Sequence, residues 1–215
     1  KEDIAMKKVS LKDCVVQEGP YKGVMRFGRY WGGNVREGWG WVDNGNDLYT
    51  GYQDPAAWIT MGEPAIAKAQ VKFLADAQAE YEKRYGVSGP FMPVYSAAGS
   101  WGWEGADPNT DWMGFQFRTF AHLAQYYYMT GDPVAKKMLV KFISWIENNK
   151  KVNGTKINLP ALLQKDSGKI KLVKYSPHNH ALYAQGLIWM AAKDNDPVYK
   201  KGAEALLDDL VNNRK

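Results

Sequence analysis

Apolar residues in the C-terminal half of the chain follow two alternating patterns, and each pattern occurs twice. Residues 113–129 and 179–192 are apolar almost all round, which predicts helices that are buried on most sides. The segment after each carries one apolar stripe opposed by lysines and acids, which predicts a helix with one face in water. Each amphipathic segment opens on an Asp-Pro pair, at Asp132 and Asp196. Asp is a favoured N-cap and Pro a favoured first helical residue, so both pairs predict helix starts.

Alternation of buried and amphipathic helices predicts an all-α fold of the α/α-toroid class, in which inner helices are ringed by outer ones. Residues 64–85 fit a further outer helix, and residues 55–61 fit its short inner partner. We expect one domain, with helical hairpins over residues 51–215 and a short irregular or β segment over residues 1–50. Such an array is about half of a six-hairpin ring. The inner-helix surface left open therefore predicts a larger parent chain or an oligomer that completes the toroid.

Charge and composition exclude several function classes. The net charge is +5, but the lysines are spread out and no arginine-rich face is evident, so nucleic acid is not an expected partner. The longest apolar runs are shorter than a membrane span, so membrane insertion is not expected either. Cys14 is the single cysteine, which rules out an internal disulfide and a cysteine-based zinc site.

Glycine-rich segments hold four of the nine tryptophans, namely Trp39, Trp41, Trp101 and Trp103. Glycine on both sides lets the backbone turn tightly and present an indole at a surface. A flat aromatic face suits the C–H groups of a sugar ring, and neighbouring acids suit its hydroxyls. These residues therefore indicate a polysaccharide or oligosaccharide ligand. The alternative is that the indoles pack under long loops and hold them down.

Acids near these tryptophans are candidates for glycoside cleavage. An inverting enzyme needs a protonated carboxyl and a carboxylate about 6.5–9.5 Å apart. Glu104 is the candidate acid, because desolvation beside the indoles would favour its protonated form. Asp43 or Asp47 is the candidate activator of water. The alternative is that residues 43–47 form a polar turn, and that Asp111 caps the helix after it.

Four strings carry a resemblance to a known family. They are Gly-Tyr-Gln-Asp-Pro-Ala-Ala-Trp at 51–58, Pro-Val-Tyr at 93–95, Asp-Pro at 107–108 leading to Asp-Trp-Met-Gly-Phe-Gln at 111–116, and the tyrosine-rich run at 124–132. In this order and spacing they resemble the second half of glycoside hydrolase family 48. The resemblance implies an inverting, cellulose-degrading enzyme with an (α/α)6 barrel and an aromatic-lined tunnel.

The resemblance does not supply the catalytic pair. The family's general acid and proposed base lie in its N-terminal half, and no segment here matches either. The family also holds a structural calcium near the loop that residues 107–108 resemble, which makes Asp107 a candidate calcium ligand. The alternative is that this Asp-Pro pair only forms a turn.

The expected function is a carbohydrate-active domain, a polysaccharide hydrolase of β-glucan type, at an extracellular, cell-surface or virion-surface location. Two alternatives stay open: a non-catalytic glycan-binding or structural module of a surface or phage-tail-like assembly, and a polysaccharide lyase. A lyase would use Tyr, His and Arg side chains in its groove. Of His178 and His180 at the start of a helix, we expect one to cap or bind substrate and the other to be solvated. Further candidates for substrate binding are Tyr52, Tyr95, Arg118 and His178.

Overall fold

Three successive helical hairpins make up most of the chain in the computed structural model, which describes residues 15–26, 47–105 and 109–212. The described helices are α1 (Pro55–Thr60), α2 (Pro64–Tyr85), α3 (Met113–Thr130), α4 (Pro133–Asn149), α5 (Pro177–Asp194) and α6 (Pro197–Asn212).

The helices form two layers. In the inner layer, α3 packs against both α1 and α5, and in the outer layer α2 packs against α4. Helix α3 buries side chains all round, whereas α4 buries one stripe that includes Met138, Phe142 and Ile146. This arrangement confirms the α/α-toroid prediction.

Aspartates begin the helices where the Asp-Pro pairs predicted. The Oδ1 atom of Asp132 accepts hydrogen bonds from the backbone N–H groups of Val134 and Ala135, at 2.8 and 3.2 Å. Asp196 accepts from the N–H of Val198 at 2.8 Å. These bonds satisfy donors that the first helical turn leaves unpaired.

The long return segment between α4 and α5 contains a sheet, which the prediction of helical hairpins over residues 51–215 did not include. Strands β4 (Lys151–Asn153), β5 (Lys156–Leu163) and β6 (Ile170–Lys174) pair antiparallel in that order. Alternate side chains of β5 are buried, at Ile157, Leu159, Ala161 and Leu163. Alternation of polar and apolar residues over 156–159 is the sequence signal for the strand, whereas residues 159–163 are apolar throughout.

A second small sheet joins the segments on either side of α2. It consists of β1 (Leu48–Tyr49), β2 (Val94–Tyr95) and β3 (Trp101–Gly102), paired antiparallel. Val15 and Met25 form an isolated antiparallel bridge. Of the predicted N-terminal segment, residues 15–26 and 47–50 are described. Its other residues, Cys14 among them, lie outside the described part of the chain.

A buried polar link joins β5 to the last hairpin. The His180 ring nitrogens lie 2.7 Å from the carbonyl oxygen of Ser176 and 2.8 Å from that of Ile157. The Oδ2 atom of Asp209 lies 3.4 Å from the His180 Nε2 atom and accepts the N–H of Ile157 at 3.1 Å. Both side chains are wholly enclosed, so His180 is not the solvated histidine of the pair.

Buried glutamines pair backbone groups that lie outside helices. The Gln116 amide accepts the N–H of Phe91 at 2.9 Å and donates to the carbonyl oxygen of the same residue at 2.8 Å. Gln53 bonds in the same two-way manner to Met25, at 2.9 and 3.2 Å. Each side-chain amide therefore pairs with the backbone as a residue of a neighbouring strand would.

Apolar side chains remain exposed along the last hairpin. Ile188 on α5 is 46% exposed and Val198 on α6 is 70% exposed. The oligomer or larger chain expected to cover inner-helix surface stays a prediction. None of the helices in the described part of the chain is both long and apolar enough to cross a bilayer.

Replacing Gln116 with Leu is expected to destabilise the fold by about 2–4 kcal/mol, because both backbone groups of Phe91 would be buried without partners. Urea unfolding followed by circular dichroism measures the loss. The same change at the exposed Gln185 on α5 is the control and should cost little. Equal stability of the two variants would contradict the importance of this pairing.

Candidate functional site

A groove of about 510 Å³ opens at the end of the array where the inner helices begin. It is lined by Tyr52, Asn109, Asp111, Trp112, Phe115, Arg118 and Leu162. The lining comes from the turn before α1, the start of α3, and β5 of the return segment. Three separate segments therefore converge on one surface.

Helix α3 supplies the central side chains because residues three apart lie on one face of a helix. Trp112 is its N-cap, and Phe115 and Arg118 follow at that spacing. Gly114 leaves room for the Trp112 indole at the helix start, since a Cβ atom there would clash with the ring. The backbone of Trp112 bridges to Leu162 on β5, and the carbonyl oxygen of Asp111 accepts the N–H of Leu163 at 3.0 Å.

Two aromatic rings lie beside the one arginine of the groove. The Arg118 guanidinium carbon lies 5.6 Å from the ring centre of Tyr52 and 5.6 Å from that of Phe115. Both distances are in the range of cation–π attraction. Because the Tyr52 and Phe115 ring centres are themselves 5.5 Å apart, the guanidinium lies on one side of this ring pair.

His178 lies beside this cluster at the start of α5. Its ring stacks on Trp112 with centroids 5.1 Å apart and planes 23° from parallel. Although the residue is largely exposed, partial burial of the ring lowers the pKa of His178 below its usual range, and the positive charge of Arg118 lowers this pKa further. The lowered pKa favours the uncharged form of the imidazole.

The structure brings together some of the predicted substrate-binding residues. Tyr52 and Arg118 line the groove, and His178 contacts its Trp112 wall. Asp111 and Trp112 were not predicted as site residues. The sequence signal for these two residues was an Asp-Trp pair directly before a buried helix. The prediction that Asp111 caps this helix is wrong, because the N-cap is Trp112 and no side-chain hydrogen bond caps the helix.

Trp101, Trp103 and Tyr95 lie elsewhere. The half-buried Trp101 packs on Phe73, with ring centres 4.9 Å apart, and Tyr95 packs on Tyr21 at 4.7 Å. Trp103 is only 6% exposed and donates its indole N–H to the Tyr85 hydroxyl at 2.6 Å. The two tryptophans follow the alternative of loop packing rather than presentation at a surface.

The predicted acids do not lie in this groove. The Glu104 side chain is 93% exposed and lies 3.9 Å from Lys165, so the desolvation expected of it is absent. The Oδ1 atom of Asp47 accepts the N–H of Ala97 at 2.9 Å, a bond to the distant loop between β2 and β3. Among the residues described, Asp111 is the acid that lines the groove.

Four of the predicted site residues, Trp39, Trp41, Asp43 and Asp107, lie outside the described residues. Within 15–26, 47–105 and 109–212, no group of three or more histidine, cysteine or acidic side chains is placed to hold a metal ion. The calcium expected at Asp107 stays a prediction.

The two helical layers, with a groove at the N-terminal ends of the inner helices, define a chain of the α/α-toroid class. Residues 76–215 match glycosyl hydrolase family 48, and the chain belongs to this family. The resemblance seen in the sequence is thereby confirmed.

Curated relatives are glucanases by name. The chain is 29% identical over 240 residues to Endoglucanase F of Ruminiclostridium cellulolyticum, covering 85% of this chain and 32% of that protein. It is 28% identical over 160 residues to Exoglucanase-2 of Thermoclostridium stercorarium, covering 57% and 16%. It is 24% identical over 234 residues to Exoglucanase B of Cellulomonas fimi, covering 86% and 21%. The chain thus spans a third or less of the length of these relatives.

Replacing Arg118 with Gln is expected to raise the pKa of His178 towards its usual value, because a nearby positive charge disfavours the imidazolium form. A titration of the His178 ring protons by NMR measures this change. Replacing the exposed Lys201 on α6 with Gln removes the same charge far from His178 and should leave its pKa unaltered. An unchanged pKa in the Arg118 variant would show that the two groups are not electrostatically coupled.

Proposed function

We propose that this chain forms part of a polysaccharide glycoside hydrolase, and that its groove holds a chain of β-glucan type. Membership of glycosyl hydrolase family 48 supports the reaction class. The names of the relatives, two exoglucanases and an endoglucanase, support the substrate type. The observation that carries the proposal is the groove with its Trp112 wall at the N-terminal ends of the inner helices.

The groove offers both kinds of contact that a sugar needs. The Trp112 indole, backed by His178, gives an apolar face for the axial C–H groups of a pyranose ring. Arg118 offers N–H donors, and the Asp111 carboxylate offers acceptors, for the hydroxyls at the ring edge. A sugar ring that stacks on Trp112 could thus be held in one orientation.

Asp111 is the described carboxylate best placed to take part in chemistry. In inverting hydrolysis a carboxylate removes a proton from the attacking water while a separate carboxylic acid protonates the leaving oxygen. We assign the water-activating position to Asp111, in place of Asp47, which accepts the N–H of Ala97 in the loop between β2 and β3. The proton donor has to come from outside the described groove, since Glu104 is fully open to solvent.

A glycan-binding module is the second candidate function. The observation that favours it is the presence of a single described acid in the groove, because cleavage needs a pair. A lyase, the third alternative, would use the neutral imidazole of His178 as a base. We further propose an extracellular location, where a polymeric substrate is accessible.

Replacing Trp112 with Ala is expected to weaken binding of cellotetraose by about 1–3 kcal/mol, because the stacking face is lost. Isothermal titration calorimetry measures the affinity. Tyr128, an exposed aromatic residue at the other end of α3, gives the control Tyr128→Ala, which should bind normally. Equal affinities in the two variants would exclude this groove as the sugar-binding site.

Replacing Asp111 with Asn is expected to abolish release of reducing ends while cellotetraose still binds, because the amide cannot accept the proton of water. The assay compares the variant with the wild type and with Asp208→Asn, an exposed position on α6. Binding without turnover in the wild type as well would favour the glycan-binding module. Turnover that survives in Asp111→Asn would exclude this residue as the base.

A further inference from the structure

Both ring nitrogens of His180 face backbone oxygens that can only accept a hydrogen bond. The Nδ1 atom lies 2.7 Å from the carbonyl oxygen of Ser176, and the Nε2 atom lies 2.8 Å from that of Ile157. A neutral imidazole has one N–H and one lone pair, so it can donate to only one of these oxygens. Turning the ring over would place C–H groups at both oxygens and lose both bonds. Two protons on the ring satisfy both contacts at once.

A carboxylate lies beside the ring and balances the charge of a second proton. The Oδ2 atom of Asp209 is 3.4 Å from the Nε2 atom, and both side chains are enclosed by the protein. Opposite charges are tolerated in the interior when further hydrogen bonds satisfy them. Here the N–H of Ile157 donates to Asp209 at 3.1 Å. A proton on Asp209 in place of the ring would still leave one ring nitrogen with its lone pair against a carbonyl oxygen.

The two side chains occupy the place of a neighbouring strand at Ile157. The pairing of β6 with β5 runs from Leu163 back to Leu159, and Ile157 lies beyond this end. Asp209 accepts the N–H of Ile157, and the His180 ring meets its carbonyl oxygen. A strand residue pairs its neighbour in the same two-way manner. Helices α5 and α6 therefore each contribute one side chain to hold the strand, and we call this arrangement of Ile157, His180 and Asp209 the Ile157 clamp.

The ionisable groups near the ring come from several elements. Asp209 on α6 is the acid beside it, and the ring centre of Tyr175, which precedes α5, lies 4.8 Å away. Strand β5 contacts the ring through a backbone carbonyl. On α4, the Glu147 carboxylate accepts the hydroxyl of Tyr183, one turn further along α5, at 3.0 Å. The partial positive charge at the start of α5 opposes a second proton on the ring, so the imidazolium depends on Asp209.

We propose that His180 is an imidazolium at neutral pH, and that its second proton closes the Ile157 clamp. When this proton leaves to solvent in alkaline solution, one carbonyl oxygen faces a lone pair, and the strand parts from α5 and α6 at Ile157. The stability that comes from the proton is therefore present while the ring is doubly protonated and is lost as the pH rises. The inference concerns the fold itself and holds whether or not the groove binds a sugar.

Nitrogen-15 NMR of the histidine rings tests the protonation directly. It distinguishes an imidazolium, in which both ring nitrogens carry a proton, from either neutral tautomer. At neutral pH His180 is expected to give the imidazolium pattern, and its signal is assigned by its loss in His180→Gln. His178 is the comparison in the same spectrum, because its lowered pKa favours the neutral form. A neutral pattern for His180 overturns the inference.

Hydrogen exchange at the Ile157 amide tests whether the proton closes the clamp. Its protection factor, which corrects for the intrinsic exchange rate at each pH, is expected to fall about tenfold or more as the ring loses its proton. The amide of Leu139, a buried residue in α4, is the control and should keep its protection over the same pH range. Protection at Ile157 that survives the loss of the ring proton overturns the clamp. A fall shared by both amides shows that the whole fold opens, which also overturns it.

A pair of variants on α6 tests the role of the carboxylate. Asp209→Asn removes the charge and keeps the size of the side chain, so the ring is expected to be neutral and Ile157 to lose protection already at neutral pH. Asp208→Asn changes the exposed neighbour and should leave both signals as in the wild type. Circular dichroism spectra show whether each variant is folded, and the two wild-type measurements decide the matter if Asp209→Asn is not. An imidazolium that persists in folded Asp209→Asn overturns the ion pair.

Discussion

Backbone groups between the helices need hydrogen-bond partners, and buried glutamines provide them. An α/α array leaves long connections in which some N–H and C=O groups lie outside any sheet, yet leaving such groups unpaired inside the protein is costly. Gln116 on inner helix α3 pairs with both backbone groups of Phe91, and Gln53 does the same for Met25. The segments around Phe91 and Met25 are thereby held in place.

Local rules predicted the helices well because their signals act over a few residues. The Asp-Pro pairs at Asp132 and Asp196 each combine a cap with a first-turn proline, and both begin helices in the structure. The apolar pattern of residues 113–129 separated an inner helix from the amphipathic α4 that follows it. In the groove, Tyr52 precedes α1, Arg118 lies in the second turn of α3 and His178 in the first turn of α5. These three side chains are near one another because the N-terminal ends of neighbouring inner helices meet at one surface.

Local rules failed where tertiary contacts decide the position of a side chain. The glycines around Trp101 and Trp103 allow the backbone to turn in more than one direction. The direction of each indole is decided by a partner distant in sequence, Phe73 for Trp101 and Tyr85 for Trp103. Glu104 is next to Trp103 in the chain but points away from it, into solvent. No local pattern in the sequence predicts these contacts. By contrast, the polar and apolar residues that alternate over 156–159 do indicate a strand, which the sequence analysis did not predict.

The link between His180, Asp209 and β5 has a consequence for how pieces of this fold can be exchanged. Asp209 lies on the outer helix α6, but it holds Ile157 of the same strand whose Leu162 lines the groove. That strand also bridges to Trp112, so it couples the last hairpin to the one before it. In a chimera of two relatives, residues 151–212 should therefore all come from the same parent protein. A junction placed between β5 and α6 would separate partners that are buried together, even though both halves would contain intact helices.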